Sequence, residues 1–254
     1  MQVLKLGQSL CSSNTPGGAT AYENLYSMSF DGIDDYLDLG SSSVLTPNSS
    51  GANRGYSVSF WAKVGVSQHL FSTETGHQIW CVTRYTGQIL FVFYGNNNSG
   101  IYQAFQIDDN IADANWHNFI FTFDLGSTSS SIVAYLDGVQ KTDGSGGTYA
   151  SVGTWSPVTS NGNLWVGYGG GGYSASEQDE LAIFDDVLTQ AQATAIYNGG
   201  SPDDLSSIPY LIGYWRMGDP DGTSSYPTIT DDSTNSNNGT MENMVSSNIT
   251  TNVP

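Results

Sequence analysis

The sequence predicts an all-β protein: an antiparallel β-sandwich of the jelly-roll type with one short helix near residues 188–198. Three observations lead to this prediction. Apolar and polar residues alternate in runs of about four to eight residues. Those runs are rich in aromatic and β-branched side chains. Thirty glycines supply the connections, and the 38% hydrophobic residues can fill a core between two facing sheets.

Alternation marks the predicted strands one after another. Tyr56, Val58 and Phe60 alternate with serines, which places three apolar side chains on one face. The run at 132–136 ends at Asp137-Gly138, a dipeptide typical of a hairpin turn. Further runs with the same period are 89–93, 119–123, 164–168 and 181–183. Several short strands joined by tight turns favour a sandwich.

Residues 188–198 carry the signals of a short amphipathic helix. Thr189 and Gln192 have the spacing of a capping box, and Gly199-Gly200 follows as a stop signal. One apolar stripe runs along the helix and consists of Leu188, Ala191, Ala195 and Ile196. We therefore expect the helix to lie on the edge of the sandwich.

Composition divides the chain into three parts. Residues 1–24 are predicted to form an N-terminal arm, residues 25–200 the sandwich, and residues 201–254 a C-terminal segment with an extra strand at 211–217. A strand on its own leaves backbone donors and acceptors unpaired. We expect it to pair with the sandwich of its own chain; the alternative is donation to a neighbouring subunit.

Six motifs in order resemble those of laminin G-like domains, a branch of the concanavalin A-like lectin/glucanase superfamily. They are SFDGIDDYL at 29–37, YSVSFW at 56–61, NWHNF at 115–119, AYLDG at 134–138, LWVG with DELAIF at 164–167 and 179–184, and the helix at 188–197. The resemblance covers about residues 25–200. It implies the concanavalin A-like form of the jelly roll.

The C-terminal segment departs from the family order. Residues 211–217 and then 231–239 resemble the stretch that normally opens such domains, ahead of the FDG motif. A circular permutation, the start of a truncated second domain and a strand donated to a neighbouring subunit would each produce this order.

Charge limits the possible partners. Twenty-four acidic residues stand against six basic ones, for a net charge of −18. Neutralising nucleic-acid phosphates needs clustered lysine and arginine, so we expect no nucleic-acid partner. Anionic lipid surfaces are disfavoured for the same reason. No apolar run reaches the roughly 18 residues that a membrane-spanning helix needs, so we expect no membrane insertion.

The sequence predicts no enzymatic activity. Related glucanases carry acidic residues alternating along one strand, which places nucleophile and acid on one face. The chain has five glutamates, and none stands in that pattern. Glu177 and Glu180 are three residues apart, so a regular strand would point them to opposite faces. His69, His77 and His117 lack hydrolase or zinc-enzyme motifs, and His117 is expected to be structural.

The family resemblance implies a structural Ca²⁺. In many relatives this ion links the first strand to the acidic strand, and the matching residues here are Asp31 and Asp179. Short carboxylates beside glycine suit calcium loops, and most of the acidic residues in the chain are aspartates. The alternative is that Asp31-Gly32 and Asp34-Asp35 form a tight turn that needs no metal.

Aromatic and amide side chains in two loops point to carbohydrate binding, the commonest site chemistry of the superfamily. Flat aromatic rings pack on the apolar face of a sugar, while Asn and Asp bind its hydroxyls. The candidate glycan-binding residues are Tyr94, Asn96, Asn97 and Tyr102 in the first loop and Tyr168 and Tyr173 in the second. The alternative is that these aromatics only close the ends of the sandwich.

Two functions fit these features. The first is a non-enzymatic structural or adhesive protein of a viral particle, such as a capsid-decoration or tail-associated component of a tailed phage, assembled in the host cytoplasm. The acidic composition, the lack of an apolar secretion signal near Met1 and the resemblance of 214–219 and 226–231 to marine phage proteins favour it. Its partners would be other virion proteins, copies of itself and host-surface glycans. The alternative is an extracellular, secreted or cell-surface carbohydrate-binding module.

Overall fold

Two sheets pack face to face in the computed structural model, which describes residues 22–40, 55–73, 79–95, 101–124, 132–153 and 162–254. The back sheet contains, in spatial order, β19 (Ile249–Thr250), β1 (Ser27–Ser29), β15 (Glu177–Phe184), β3 (Gly55–Lys63), β8 (His117–Asp124), β9 (Ile132–Leu136) and β10 (Val139–Asp143), with β16 (Leu211–Trp215) beside the second half of β15.

The front sheet has nine strands among the described residues. In spatial order they are β17 (Thr228–Ile229), β18 (Gly239–Glu242), β2 (Tyr36–Asp38), β12 (Leu164–Val166), β4 (His69–Thr73), β5 (Ile79–Thr83), β6 (Ile89–Gly95), β7 (Ile101–Ile107) and β11 (Gly146–Val152). Pairings within each sheet are antiparallel, and β10 and β11 join the two sheets along one side. A small hairpin, β13 (Tyr168–Gly169) and β14 (Gly172–Tyr173), follows β12.

Stacked aromatic rings join the two layers. Phe91 of β6 lies on Phe121 of β8 with 4.7 Å between ring centroids, and Phe93 lies on Phe123 at 4.5 Å. These four side chains are fully buried because strand alternation turns them all inward. Offset aromatic pairs of this kind stabilise a core beyond the burial of their area. The predicted antiparallel sandwich is confirmed.

Helix α1 (Gln190–Tyr197) covers the outer face of the back sheet. The predicted capping box between Thr189 and Gln192 is present, and Asn198 ends the helix in the left-handed conformation. Ile196 and its neighbours form a second, smaller core with Phe184 and Tyr214 on that outer face. The predicted short helix is confirmed, and the back sheet is consequently covered on both sides.

The C-terminal segment pairs with strands of its own chain. β16 pairs with β15, β18 with β2, and β19 with β1. Trp215 on β16 is completely buried, and its indole nitrogen donates a hydrogen bond to the carbonyl of Asn237 at 2.9 Å. The strand predicted at 211–217 therefore lies in the back sheet of the same chain.

The residues before β1 are joined by hydrogen bonds to the residues just after β16. The carboxylate of Asp219 accepts hydrogen bonds from the backbone nitrogens of Leu25, at 3.0 Å, and Tyr26. Arg216 donates to the carbonyl of Glu23 at 2.5 Å. Of the predicted N-terminal arm, residues 1–21 lie outside the described residues. No helix in the described part of the chain has the length and apolar character needed to cross a bilayer.

Candidate functional site

The outer face of the front sheet, called here the front face, carries rows of side chains that run across the strands. Residues paired across neighbouring strands have side chains that point to the same side of the sheet. One such row crosses six strands and position 80 of β5, which lies between Ser72 and Val92. Its members on the other strands are Asp38, Trp165, Ser72, Val92, Ala104 and Ala150. Among the described residues, the helix and the second core lie on the other sheet and do not cover this face.

A groove of about 360 Å³, called here the tyrosine groove, lies on the front face over β6, β7 and β11. Val92 and Ala104 form its floor and are only 3% and 4% exposed, although they point away from the main core. Tyr94 and Tyr102 stand opposite each other at one end, with ring centroids 6.0 Å apart. The groove is lined by Arg84, Leu90, Val92, Tyr94, Tyr102, Ala104, Gln106, Thr148 and Ala150.

Polar groups occupy the groove end away from the tyrosines. The carboxylate of Asp108 accepts hydrogen bonds from Gln106 Nε2 at 2.8 Å and from Thr148 Oγ1 at 3.0 Å, which fixes both side chains. At the other end, burial and the neighbouring Tyr102 raise the pKa of Tyr94. Its hydroxyl therefore stays protonated at neutral pH and can donate a hydrogen bond.

Four rings form a second group, the aromatic cluster, beside the β13–β14 hairpin. Tyr168 and Tyr173 pair across this hairpin with centroids 4.6 Å apart, and Trp165 lies 5.1 Å from Tyr168. Tyr36 completes the cluster at 5.9 Å from Trp165. The Trp165 indole nitrogen is buried without a hydrogen-bond partner among the described residues. Each of these rings is half-buried, so part of every ring faces solvent.

The structure therefore places the predicted glycan-binding residues in two groups rather than one. Tyr94 and Tyr102 are adjacent, and Tyr168 and Tyr173 are adjacent, but the pairs lie at different parts of the front face. Asn96 and Asn97 lie outside the described residues.

Sequence reasoning missed Tyr36 and Trp165, because both stand inside motifs interpreted only as family strands. The available signal was alternation: Trp165 lies between the buried residues Leu164 and Val166 and so points outward.

The two predicted metal ligands do not lie together. β1 and β15 pair with Ser29 opposite Glu177, so Asp179 stands opposite Ser27. Ser27 is four residues before Asp31 in the sequence. Four residues of extended chain span about 13 Å. A calcium ion holds its oxygen ligands at about 2.3–2.6 Å. One ion cannot reach both carboxylates, so this pair does not fit a shared calcium site.

Asp31 instead belongs to a turn with Asp34 and Asp35, where carboxylate oxygens of the three residues lie within 4.8 Å of one another. The Asp31 carboxylate accepts hydrogen bonds from the backbone nitrogens of Ile33, at 2.7 Å, and Asp34. Asp35 accepts from the Asp31 nitrogen and from Asn248. These hydrogen bonds fix Asp31 Oδ1 and Asp35 Oδ2 within the turn.

Asp179 lies in a buried acidic cluster between β15 and the segment after β16. The register of β15 against β3 shifts between Asp179 and Ala182, and Glu180 has a positive φ of 50°. This bulge interrupts the alternation expected from the sequence, and both acidic side chains are buried. Arg216 lies 3.4 Å from Glu180 and 3.7 Å from Asp219, and the Tyr214 hydroxyl also donates to Glu180.

Burial controls the ionisation of this cluster. It raises the pKa of Glu180 to about 7 and the pKa of Asp179 well above its ordinary range. Burial also raises the pKa of Asp219, against the opposing effect of Arg216. Shifted pKa values are found in active sites and also in structural ion-pair networks. Here the cluster joins β15 to the residues before β1 and to the residues after β16, which is a structural arrangement.

His117 connects two acidic side chains. Its Nδ1 lies 2.8 Å from Asp137 Oδ2 and its Nε2 lies 3.2 Å from Asp113 Oδ1. Asp137 also accepts a hydrogen bond from the Asn118 nitrogen. These contacts fix the Asp137-Gly138 turn against β8, and no nucleophilic side chain bonds to the imidazole in the described part of the chain. The contacts agree with the structural role predicted for this histidine.

The described residues form a two-layered jelly roll with aromatic side chains on its front face, which is the form of a lectin-like sandwich. Residues 34–194, more than half of the chain, match the laminin G model described as the concanavalin A-like lectin/glucanases superfamily. The chain therefore belongs to this superfamily. No curated protein sequence matches the chain.

Solved structures with this fold include a candidate carbohydrate-binding protein from Bacteroides ovatus, with a TM-score of 0.59 and 15% sequence identity over 90% of this chain. The match covers 60% of that protein, so the chain spans well under two thirds of its length. A heptameric pentraxin from Limulus polyphemus matches with a TM-score of 0.49 and 18% identity, covering 70% of this chain and 85% of the pentraxin. The receptor-binding domain of botulinum neurotoxin D matches with a TM-score of 0.49 and 14% identity, covering 71% of this chain and 45% of the domain. At 15% identity, the likeness to the Bacteroides ovatus protein shows the fold alone.

Proposed function

We propose that the chain is a non-catalytic carbohydrate-binding module whose ligand lies on the front face. The observation that carries this proposal is the tyrosine groove: Tyr94 and Tyr102 stand over an apolar floor on the sheet face that the helix and the second core do not cover. The match to a lectin/glucanase superfamily and the Bacteroides ovatus protein of the same fold support it.

The chemistry of the groove suits a sugar. A pyranose ring has apolar C–H faces and a polar rim of hydroxyls, so it needs a flat aromatic surface and oriented hydrogen-bonding groups. Tyr94 and Tyr102 supply the aromatic surface, and Val92 and Ala104 supply apolar contact below them. Gln106 and Thr148 offer polar atoms at the far end. This combination favours recognition of a glycan over that of a wholly apolar ligand.

The carboxylates near the tyrosine groove support binding without catalysis in that groove. Glycosidases need two carboxyl groups about 5–9.5 Å apart on either side of the scissile bond. Asp108, just after β7, lies beside the tyrosine groove, whereas Asp38 on β2 and Glu242 on β18 are at least five strand spacings, or about 24 Å, away from Asp108. Asp38 is bonded to Asn163 and to the Gly40 nitrogen, and Asp108 to two groove side chains. These two carboxylates cannot act as a glycosidase pair.

A glycan array followed by titration calorimetry tests this part of the proposal. The wild-type protein should bind at least one glycan, and Tyr94→Ala and Tyr102→Ala should each weaken binding by about tenfold or more. The matched control is Tyr210→Ala, because Tyr210 is an exposed tyrosine just before β16 of the back sheet. Equal binding by the wild type and both groove variants would disprove the site. Absence of any bound glycan would disprove the function.

The second part of the proposal places the module on a viral particle, as a capsid-decoration or tail-associated protein of a tailed phage that holds host-surface glycans. Its support comes from the acidic, lysine-poor composition and the phage-like C-terminal motifs. The strands of the C-terminal segment are paired within the chain, so this placement does not rest on strand exchange between subunits.

Immunogold labelling of purified particles tests the placement. A regular pattern of label on capsid or tail is the expected result. Recovery of the protein from the culture medium, with particles that carry none of it, would instead support the secreted carbohydrate-binding module.

A further inference from the structure

Arg84 is the one cationic side chain among the described lysines and arginines that has no carboxylate within ion-pair distance. Lys63 pairs with Glu177 at 3.5 Å and Lys141 with Asp109 at 2.8 Å. Arg216 lies in the buried acidic cluster, 3.4 Å from Glu180. In a chain with a net charge of −18, an arginine without an acidic partner is unusual.

This arginine lines the tyrosine groove, at the end away from the tyrosines. Thr83 is buried and faces the core, so the next residue along the chain, Arg84, faces outward. Its backbone is fixed, because its nitrogen donates to the carbonyl of Gln88 at 2.7 Å and its carbonyl accepts from the nitrogen of Gly87. The side chain is exposed, so its guanidinium can reach a ligand without breaking a bond within the protein.

The carboxylates that follow β7 do not neutralise this guanidinium. Asp108 receives hydrogen bonds from Gln106 and Thr148, and Asp109 pairs with Lys141. Asp108 nevertheless adds negative charge to the same end of the groove. A neutral ligand would gain little from Arg84, whereas a carboxylate would form two parallel hydrogen bonds with the planar guanidinium.

We propose that the groove recognises an acidic glycan, with the carboxylate of a terminal sugar acid bound by Arg84. This inference rests on the proposed carbohydrate-binding function and names its ligand class. Arg84 is bonded to Gln88, which lies six residues before Tyr94 along the chain. Six residues of extended strand span about 20 Å. The ligand is therefore an oligosaccharide that places its acidic end on Arg84 and later sugars on Tyr94 and Tyr102.

Matched ligands provide the test: one oligosaccharide, identified on the array, is made with a terminal glucuronic acid, with the neutral glucose in its place, or with a terminal sulfate. The wild-type protein should bind the glucuronic acid form about tenfold more tightly than the neutral form. Arg84→Gln should abolish this preference, so that the acidic and neutral forms bind this variant with equal affinity. Arg84→Lys should keep only part of it, because an ammonium lacks the planar fork. Lys63→Gln removes the same charge away from the groove and should keep the full preference.

Several results would contradict the inference. Equal binding of the acidic and neutral forms by the wild type would overturn it while leaving the proposed carbohydrate binding intact. A preference for the acidic form that persists in Arg84→Gln would overturn the role of Arg84. Tighter binding of the sulfate form than of the glucuronic acid form would overturn the assignment to a carboxylate. Thermal midpoints equal to that of the wild type would show that the Arg84 variants are folded.

Discussion

Met241 lies directly opposite Leu37 in the pairing of β18 with β2, and both side chains are buried in the main core. The two residues are about 200 positions apart in the sequence, and one belongs to the C-terminal segment that departs from the usual family order. That segment therefore completes the core next to the strand that carries Tyr36.

Shortening Met241 should destabilise the whole domain. Met241→Ala removes buried apolar contacts and leaves a cavity beside Leu37, so the free energy of unfolding should fall by about 2–3 kcal/mol. Thr240, its exposed neighbour on β18, provides the control, and Thr240→Ser should change stability by less than about 0.5 kcal/mol. Urea denaturation measures both. Equal stability of Met241→Ala and the wild type would show that the segment is not part of the folded core.

His117 should make stability depend on pH. The hydrogen bond to Asp137 outweighs burial and raises the pKa of His117 above its ordinary 6.5. A histidine whose pKa is raised by folding stabilises the folded state fully below the unfolded value, and this contribution disappears as the pH rises through the folded value. The stability difference between the wild type and His117→Gln should therefore be larger near pH 5.5 than near pH 8.5.

Urea midpoints at the two pH values measure this effect. Asp137→Asn removes the acceptor that causes the shift, so it should reduce the pH dependence almost as strongly as the histidine variant. A stability difference that grows toward alkaline pH would contradict the assigned direction of the shift.

The local features of the fold could be predicted because their signals are local. Alternation gives each strand and its inward face, and the Thr189–Gln192 box with the glycines after Asn198 gives the helix bounds. The bulge at Glu180 could not be predicted, since glutamate has no preference for a positive φ. The bend places the Glu180 carboxylate against Tyr214 of β16 and against Arg216, the residue after it.

The candidate site was only partly predictable, because it depends on which strands become neighbours. Tyr94 and Tyr102 flank one hairpin and could be paired from sequence. Tyr36 and Trp165 meet only because β12 is inserted beside β2, more than a hundred residues away along the chain. The register of β1 against β15, which separates Asp31 from Asp179, is non-local in the same way.

Two glycines with the same backbone conformation should respond differently to alanine. Gly167 and Gly171 have φ values of 83° and 86°, so each alanine would be strained by about 1 kcal/mol. A Cβ at Gly167 would also lie 2.4 Å from the Phe30 ring, whereas at Gly171 nothing lies within 4 Å. Gly167→Ala should therefore cost about 1–3 kcal/mol more than Gly171→Ala in urea denaturation. Equal costs would mean that Phe30 moves away freely.

Arg216 should contribute far more to stability than Lys141. Arg216→Met would leave the buried Glu180 and Asp219 without their cation, and removing one partner of a buried pair costs about 3 kcal/mol or more. Lys141→Met breaks a pair whose Asp109 is 42% exposed, so its cost should stay below about 1 kcal/mol. Denaturation near pH 8 keeps Glu180, with a pKa of about 7, ionised. Similar losses for the two variants would contradict the buried character of the cluster.

The spacing of the two aromatic groups should set how ligand length affects binding. Trp165 and Val92 occupy one register row three strand spacings apart, or about 14 Å. Tyr168→Ala should leave unchanged the affinity for a short oligosaccharide that fills only the tyrosine groove. For an oligosaccharide long enough to reach the aromatic cluster, the same substitution should lower the affinity about fivefold to tenfold. Calorimetry across a series of ligand lengths measures this, with Tyr210→Ala as the control. An equal effect of Tyr168→Ala at every length would show that the cluster acts through the fold and not by contact with the glycan.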